Sequence, residues 1–216
     1  MGIYLEALIL YFVLFFSGAV LSNVKAAEAA GFSAAVEITR IFFYNIPSLV
    51  LIWYLLIRVK PIKNWDIKPG KKDAVCALVT FPCLLVTGFV ISYISSYTGG
   101  TSSEVLLHSP CTFVEWVVLC FSILTAAYLE ESFFRFYLLA RRDELKLSAL
   151  PALIFSTALF SICHVYEGPW GFLNAVLSGT LLCFMFLRYR SLHGISIAHA
   201  LYNLAVYIIN TLSIQT

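Results

Sequence analysis

Residues 111–140 read CTFVEWVVLCFSILTAAYLEESFFRFYLLA, a run apolar for most of its length that nevertheless holds Glu130, Glu131 and Arg135 in its second half. A helix needs about 20 such residues to cross the ~30 Å hydrocarbon core of a bilayer, so the stretch reads as one membrane-spanning helix. Six further runs of this kind flank it: Ile3–Ser22, Ile41–Ile57, Ala74–Tyr97, Leu150–His164, Gly171–Leu187 and Ile195–Ser213. The expected fold is therefore all-α, a polytopic transmembrane helical bundle of about seven spans whose last four helices form a core of their own. Residues 1–110 are expected to supply N-terminal transmembrane helices with a basic cytoplasmic loop at 58–73, and residues 111–216 the second unit.

Composition supports the membrane assignment. The chain has 216 residues, 61% hydrophobic and 12% charged, against about 45–50% and 25% in ordinary globular domains. A soluble fold of this length has no interior large enough for that apolar surface. The net charge of +2 excludes nucleic acid as an expected partner; the lipid bilayer is one. Six cysteines, Cys76, Cys83, Cys111, Cys120, Cys163 and Cys183, stand singly in apolar stretches without C-x-x-C pairing, and are read as small packing residues. The first run lacks a basic n-region, carries Glu6 and exceeds a typical signal h-region, so it is read as an uncleaved helix.

Lys and Arg remain on the cytoplasmic side. Arg58, Lys60, Lys63, Lys68, Lys71, Lys72, Arg141, Arg142, Lys146, Arg188 and Arg190 all fall in connections on one side, while Lys25 and Arg40 fall on the other. Seven crossings with the N-terminus inside and the C-terminus outside satisfy this alternation. The expected location is multi-pass, in the bacterial cytoplasmic membrane. Gly99-Gly100-Thr-Ser-Ser marks an outer loop and Gly168-Pro169 a short outer turn. No internal repeat is visible, which argues against an inverted-repeat transporter.

Charged groups inside spans cost about 2.5–3.5 kcal/mol each at mid-membrane and so mark function. They cluster in three helices here: Glu130, Glu131 and Arg135; Phe160-Ser-Ile-Cys-His164; and His199-Ala-Leu-Tyr-Asn203. Glu131 and Arg135 share a face and are expected to pair. Glu130 points about 100° away and is left as the free carboxylate, a general base for activating water with His164. His199 and Asn203 share a face and present donors for an oxyanion. The set supplies what amide hydrolysis needs. Taken singly, each motif also has a packing explanation: a structural ion pair, an interfacial histidine, an interhelical hydrogen-bonded pair. Glu6, Glu115, His108 and His193 lie near helix ends and are assigned no catalytic part, and Cys163 points away from its neighbour His164.

Glu130-Glu131-Ser-Phe-Phe-Arg135 resembles the E-E-x-x-x-R motif of the CPBP (CAAX protease and bacteriocin-processing, or Abi) intramembrane peptidases. Phe160-x-x-x-His164 and His199-x-x-x-Asn203 resemble that family's second and third motifs, in its order, and the likeness covers about Phe121 to Tyr207. It implies a glutamate-type membrane endopeptidase: the first glutamate and the motif-two histidine activate water, the motif-three pair lines the oxyanion site, and Glu131 with Arg135 supports them. It implies a peptide or membrane-protein substrate. Absence of H-E-x-x-H and the poor ligand character of Asn favour no metal, with zinc as the lesser reading; oligomeric state is left open. One departure is Phe136, where the family often has Gly. Competing readings are a non-catalytic immunity or scaffold protein, and a transporter using the same groups as a proton relay. On straight helices His164 would also stand about 15 Å further from the inner face than His199, so the helices must tilt, start at unequal depths or open onto water.

Overall fold

In the computed structural model, which describes residues 3–16, 31–58, 68–98, 108–139, 141–142 and 145–214, every element is helical. Helix α1 runs Ile3–Tyr11 and continues as a π turn over Phe12–Phe16. Helices α2 (Ala34–Arg58), α3 (Lys71–Tyr97) and α4 (Phe113–Leu139) are long, then come the short α5 (Ala149–Ile162), a 3-10 turn (Val165–Glu167), α6 (Gly168–Tyr189) and α7 (Leu192–Ile214). Among the described residues five helices are long and apolar enough to cross a membrane, and α1 and α5 are shorter apolar helices. The 14 residues of α5 extend about 21 Å at 1.5 Å each, less than the hydrocarbon core. Large apolar side chains face outward along the spans, Phe43, Tyr97 and Phe113 among them, as a lipid-facing surface requires.

Local signals explain where helices begin. Ser33 caps α2 by accepting from the Val36 amide at 3.4 Å, which starts the helix at Ala34, seven residues before the expected start at Ile41, and so brings Glu37 and Arg40 into it. Thr112 and Glu115 form a reciprocal capping box at the head of α4, with the Glu115 amide donating to Thr112 at 3.2 Å and the Thr112 amide donating to Glu115 at 3.0 Å. Glu115 thus serves as a cap. The expected outer turn after His164 is a 3-10 turn running directly into α6, which starts three residues before Gly171. Of the expected first span, everything after Phe16 lies outside the described residues, as do Lys25, most of the basic 58–73 loop and the Gly99–Gly100 loop.

Pairs across the bundle fix the helix directions. Glu37 with Ser122, Asn45 with Thr125 (2.8 Å) and Trp53 stacked on Phe136 (5.5 Å between centroids) align α2 parallel to α4. Thr211 with Ser109 (2.6 Å) and His193 with Tyr128 (3.0 Å) align α7 antiparallel to α4. Asp73 joins the heads of α3 and α7: one oxygen accepts from the Gly70 amide at 2.7 Å, the other from the Ser191 hydroxyl, whose oxygen accepts from the Gly194 amide at 2.8 Å. A Cβ on Gly194 would stand 2.6 Å from Cys76 and 2.7 Å from the Asp73 carbonyl, so this contact needs glycine. It sets the register of α7, and with it the position of His199. Arg58, Lys68, Lys71, Lys72, Arg141, Arg188 and Arg190 consequently gather at one end of the bundle, the end that the positive-inside rule makes cytoplasmic. At that end Glu6 accepts from the Tyr137 hydroxyl and pairs with Arg141 at 3.5 Å, which ties α1 to α4.

Candidate active site

Glu131 sits where α4 changes from α-helix to the π-helical turn Ser132–Leu139, every residue of which is buried. Such turns insert a widened ring into a helix and are frequent at functional sites. Glu131 and Arg135 both have fully buried side chains and pair at 3.1 Å through Oε1 and Nη1. The same Oε1 takes a hydrogen bond from Nδ1 of His199 at 2.9 Å. Its other oxygen, Oε2, has no hydrogen-bond partner among the described residues. Arg135 also donates from Nη2 to the Gly179 carbonyl at 3.3 Å, and its guanidinium lies over the Phe160 ring at 4.4 Å. A cation between a carboxylate, a carbonyl and a ring face is partnered on several sides.

His199 is bracketed by both glutamates, since its Nε2 faces Glu130 Oε2 at 3.8 Å. Glu130 differs from its neighbour in burial, with 25% of its side chain exposed against 0% for Glu131. Of the two, only Glu130 can meet water directly. Phe160 separates the two imidazoles, with His164 at 4.5 Å and His199 at 6.1 Å between ring centroids. Nδ1 of His164 lies 2.8 Å from the Phe160 carbonyl. A carbonyl only accepts, so Nδ1 carries the proton and Nε2 is the free, basic nitrogen. Cys163 turns instead toward Tyr11, at 3.5 Å.

The depth difference between the histidines narrows in the fold. A Cβ on Gly179 would stand 2.9 Å from Phe160, which levels Phe160 with the middle of α6 and with the Arg135–Glu131–His199 chain. His164 is one turn above that level and bonds back down to it. Gly179→Ala drives a methyl into the Phe160 ring and beside Nη2 of Arg135, at 3.6 Å. We expect a loss of about 1–3 kcal/mol, read as a lower melting temperature in detergent; an unchanged melting temperature would show that Phe160 can move aside.

Asn203 is half-buried and its side chain makes no hydrogen bond among the described residues, so the face it shares with His199 is set by its spacing alone. Phe136 turns away from the site to pack between Trp53 and Phe186 (6.4 Å). Sequence reasoning passed over Glu167, whose charge is within electrostatic range of His164, Glu130 and His199. Its three-residue spacing from His164 was the available signal, hidden by reading 165–170 as a loop. Among the described residues no three His, Cys, Asp or Glu side chains converge as metal ligands would.

Residues 112–205 match the family model described as type II CAAX prenyl endopeptidase Rce1-like, a segment somewhat longer than the resemblance in the motifs. No curated protein and no solved structure matches the chain. All three motifs, and each contact among Glu130, Glu131, Arg135, Phe160, His164 and His199, fall inside the matched segment. Residues 112–205 thus form a segment similar to the CAAX-protease (CPBP) membrane peptidases.

Proposed function

We propose that the protein is an intramembrane glutamate-type endopeptidase that hydrolyses a peptide bond in a membrane-associated peptide or protein. The observation that carries this reading is the unequal pair of carboxylates around His199: one sealed and shared with Arg135, the other partly exposed at 3.8 Å. Glu130 takes a proton from water, helped by the free Nε2 of His164, and the resulting hydroxide adds to the carbonyl carbon. His199, whose Nδ1–H is held by Glu131, turns Nε2 toward the same space and with Asn203 stabilises the oxyanion. Glu131 and Arg135 orient His199 and do not touch the reacting atoms.

The family's description names prenylated CAAX sequences, which makes a farnesylated Cys-Val-Ile-Met peptide the first substrate to try. The broader test is membrane proteomics of cells making the wild type or Glu130→Ala: the variant should accumulate an unprocessed precursor. His164→Ala should accumulate the same precursor while its melting temperature stays near that of the wild type. Full processing by either variant would overturn the mechanism. Cleavage that persists after chelation supports the metal-free form; loss on chelation with recovery on adding zinc would make it a zinc peptidase.

A further inference from the structure

Glu167 has no part in the reaction as written above, yet its placement is closely specified. It follows His164 by three residues on the 3-10 turn Val165–Glu167, and the Glu167 amide donates to the His164 carbonyl at 3.0 Å. Residues i and i+3 eclipse in 3-10 geometry, so Glu167 stands directly above His164 at the outer side of the site. Glu130, His199 and Tyr202 of α7 are within range of its charge, and the Tyr166 hydroxyl hydrogen-bonds it.

Two glycines make this seat. Gly168 has φ 82° and ψ −179°, a conformation L side chains rarely adopt. A Cβ on Gly171 would collide with the Glu167 side chain and come within 3.0 Å of its Oε2. Glu167 occupies the N-cap position of α6, yet its side chain makes no capping hydrogen bond. The default partner of a carboxylate at that position is the set of free amides on the helix end. Here that partner goes unused.

Amide hydrolysis also requires a proton for the departing amine, a demand the four assigned groups leave open. Glu130 is occupied with the proton taken from water, His199 holds the oxyanion, and His164 keeps Nδ1 on the Phe160 carbonyl at 2.8 Å while its Nε2 assists at the water. We propose that Glu167 is the general acid that protonates the leaving amine, acting beside His164; the assignment rests on the peptidase reading given above. In the first step water loses a proton to Glu130 and its oxygen bonds to the carbonyl carbon. In the second, the C–N bond breaks with its electron pair on nitrogen, and the Glu167 carboxyl proton passes to that nitrogen. The proton on Glu130 then returns to Glu167, so that one water has been added across the bond.

The test uses the full chain in lipid nanodiscs with two substrates: farnesylated Cys-Val-Ile-Met, and its analogue with an ester in place of the Cys–Val amide. An alkoxide leaves with far less need of a proton than an amine does. Glu167→Gln should therefore lower amide cleavage about 100-fold, within the range a general acid supplies, and ester cleavage only a few-fold. Glu167→Asp should recover part of the amide rate. Equal slowing of both substrates, the signature of a merely structural residue, or no slowing of either, would overturn the assignment. A wild type that cleaves neither substrate overturns the prenyl-peptidase reading and this inference with it.

Discussion

Glu130→Gln is expected to lower the rate of cleavage by about 10²–10⁴-fold, the range a positioned general base supplies, with little change in melting temperature. Gln keeps the shape and the polar contact of the side chain and removes the proton acceptor. Its folding cost is small because Glu130 is not sealed in: a quarter of the side chain is exposed, and its nearest charged partner, Nε2 of His199, stands at 3.8 Å. Glu130→Asp, which draws the carboxylate back by one methylene, should fall between the two. Turnover of the farnesylated peptide and thermal unfolding in detergent measure the two quantities separately. A glutamine variant that turns over like the wild type would leave Glu130 without a catalytic role, whatever its position.

The part of this site legible in the sequence is the part written at helical spacing. Glu131 and Arg135 are four apart on one helix, and they pair as that spacing requires; the apolar runs likewise matched helices, because a bilayer leaves few other ways to satisfy the backbone. Contacts between helices were not legible. His199 is 68 residues from Glu131, and nothing in its own helix indicates that Nδ1 is held there. Spacing along α7 shows Asn203 on the same face, but not that Glu130 and Glu131 of α4 meet the two imidazole nitrogens. Glu167 was lost for a different reason. Gly-Pro at 168–169 reads as a turn, and the 3-10 turn Val165–Glu167 that brings Glu167 over His164 is not revealed by spacing. The start of α2 was placed too late because Ser33 is followed by polar residues, Glu37, Thr39 and Arg40, that interrupt the hydropathy while continuing the helix.

Breaking the Glu131–Arg135 pair should be the most destabilising single change in the molecule, and restoring neutrality should repair the fold without repairing the enzyme. Both side chains are fully buried, and among the described residues Oε2 of Glu131 already lacks a hydrogen bond, as does Nε of Arg135. Removing one partner leaves an uncompensated buried charge, at a cost of about 3–5 kcal/mol. Glu131→Leu and Arg135→Met should each lower the melting temperature by roughly 10 °C or more on the usual scaling for a chain of this size. The double variant places two apolar groups of similar bulk in the same space and, as replaced buried ion pairs often do, should recover most of that loss. Its activity should not recover. Nδ1 of His199 donates to Glu131 at 2.9 Å, and a leucine there leaves the imidazole free to turn, so that Nε2 no longer points reliably toward Glu130. A double variant that regains cleavage along with stability would show that Glu131 serves folding alone and that His199 is oriented by something else. A double variant that is stable and inactive separates the two tasks of this carboxylate, which neutralises Arg135 and aims His199 through the same oxygen.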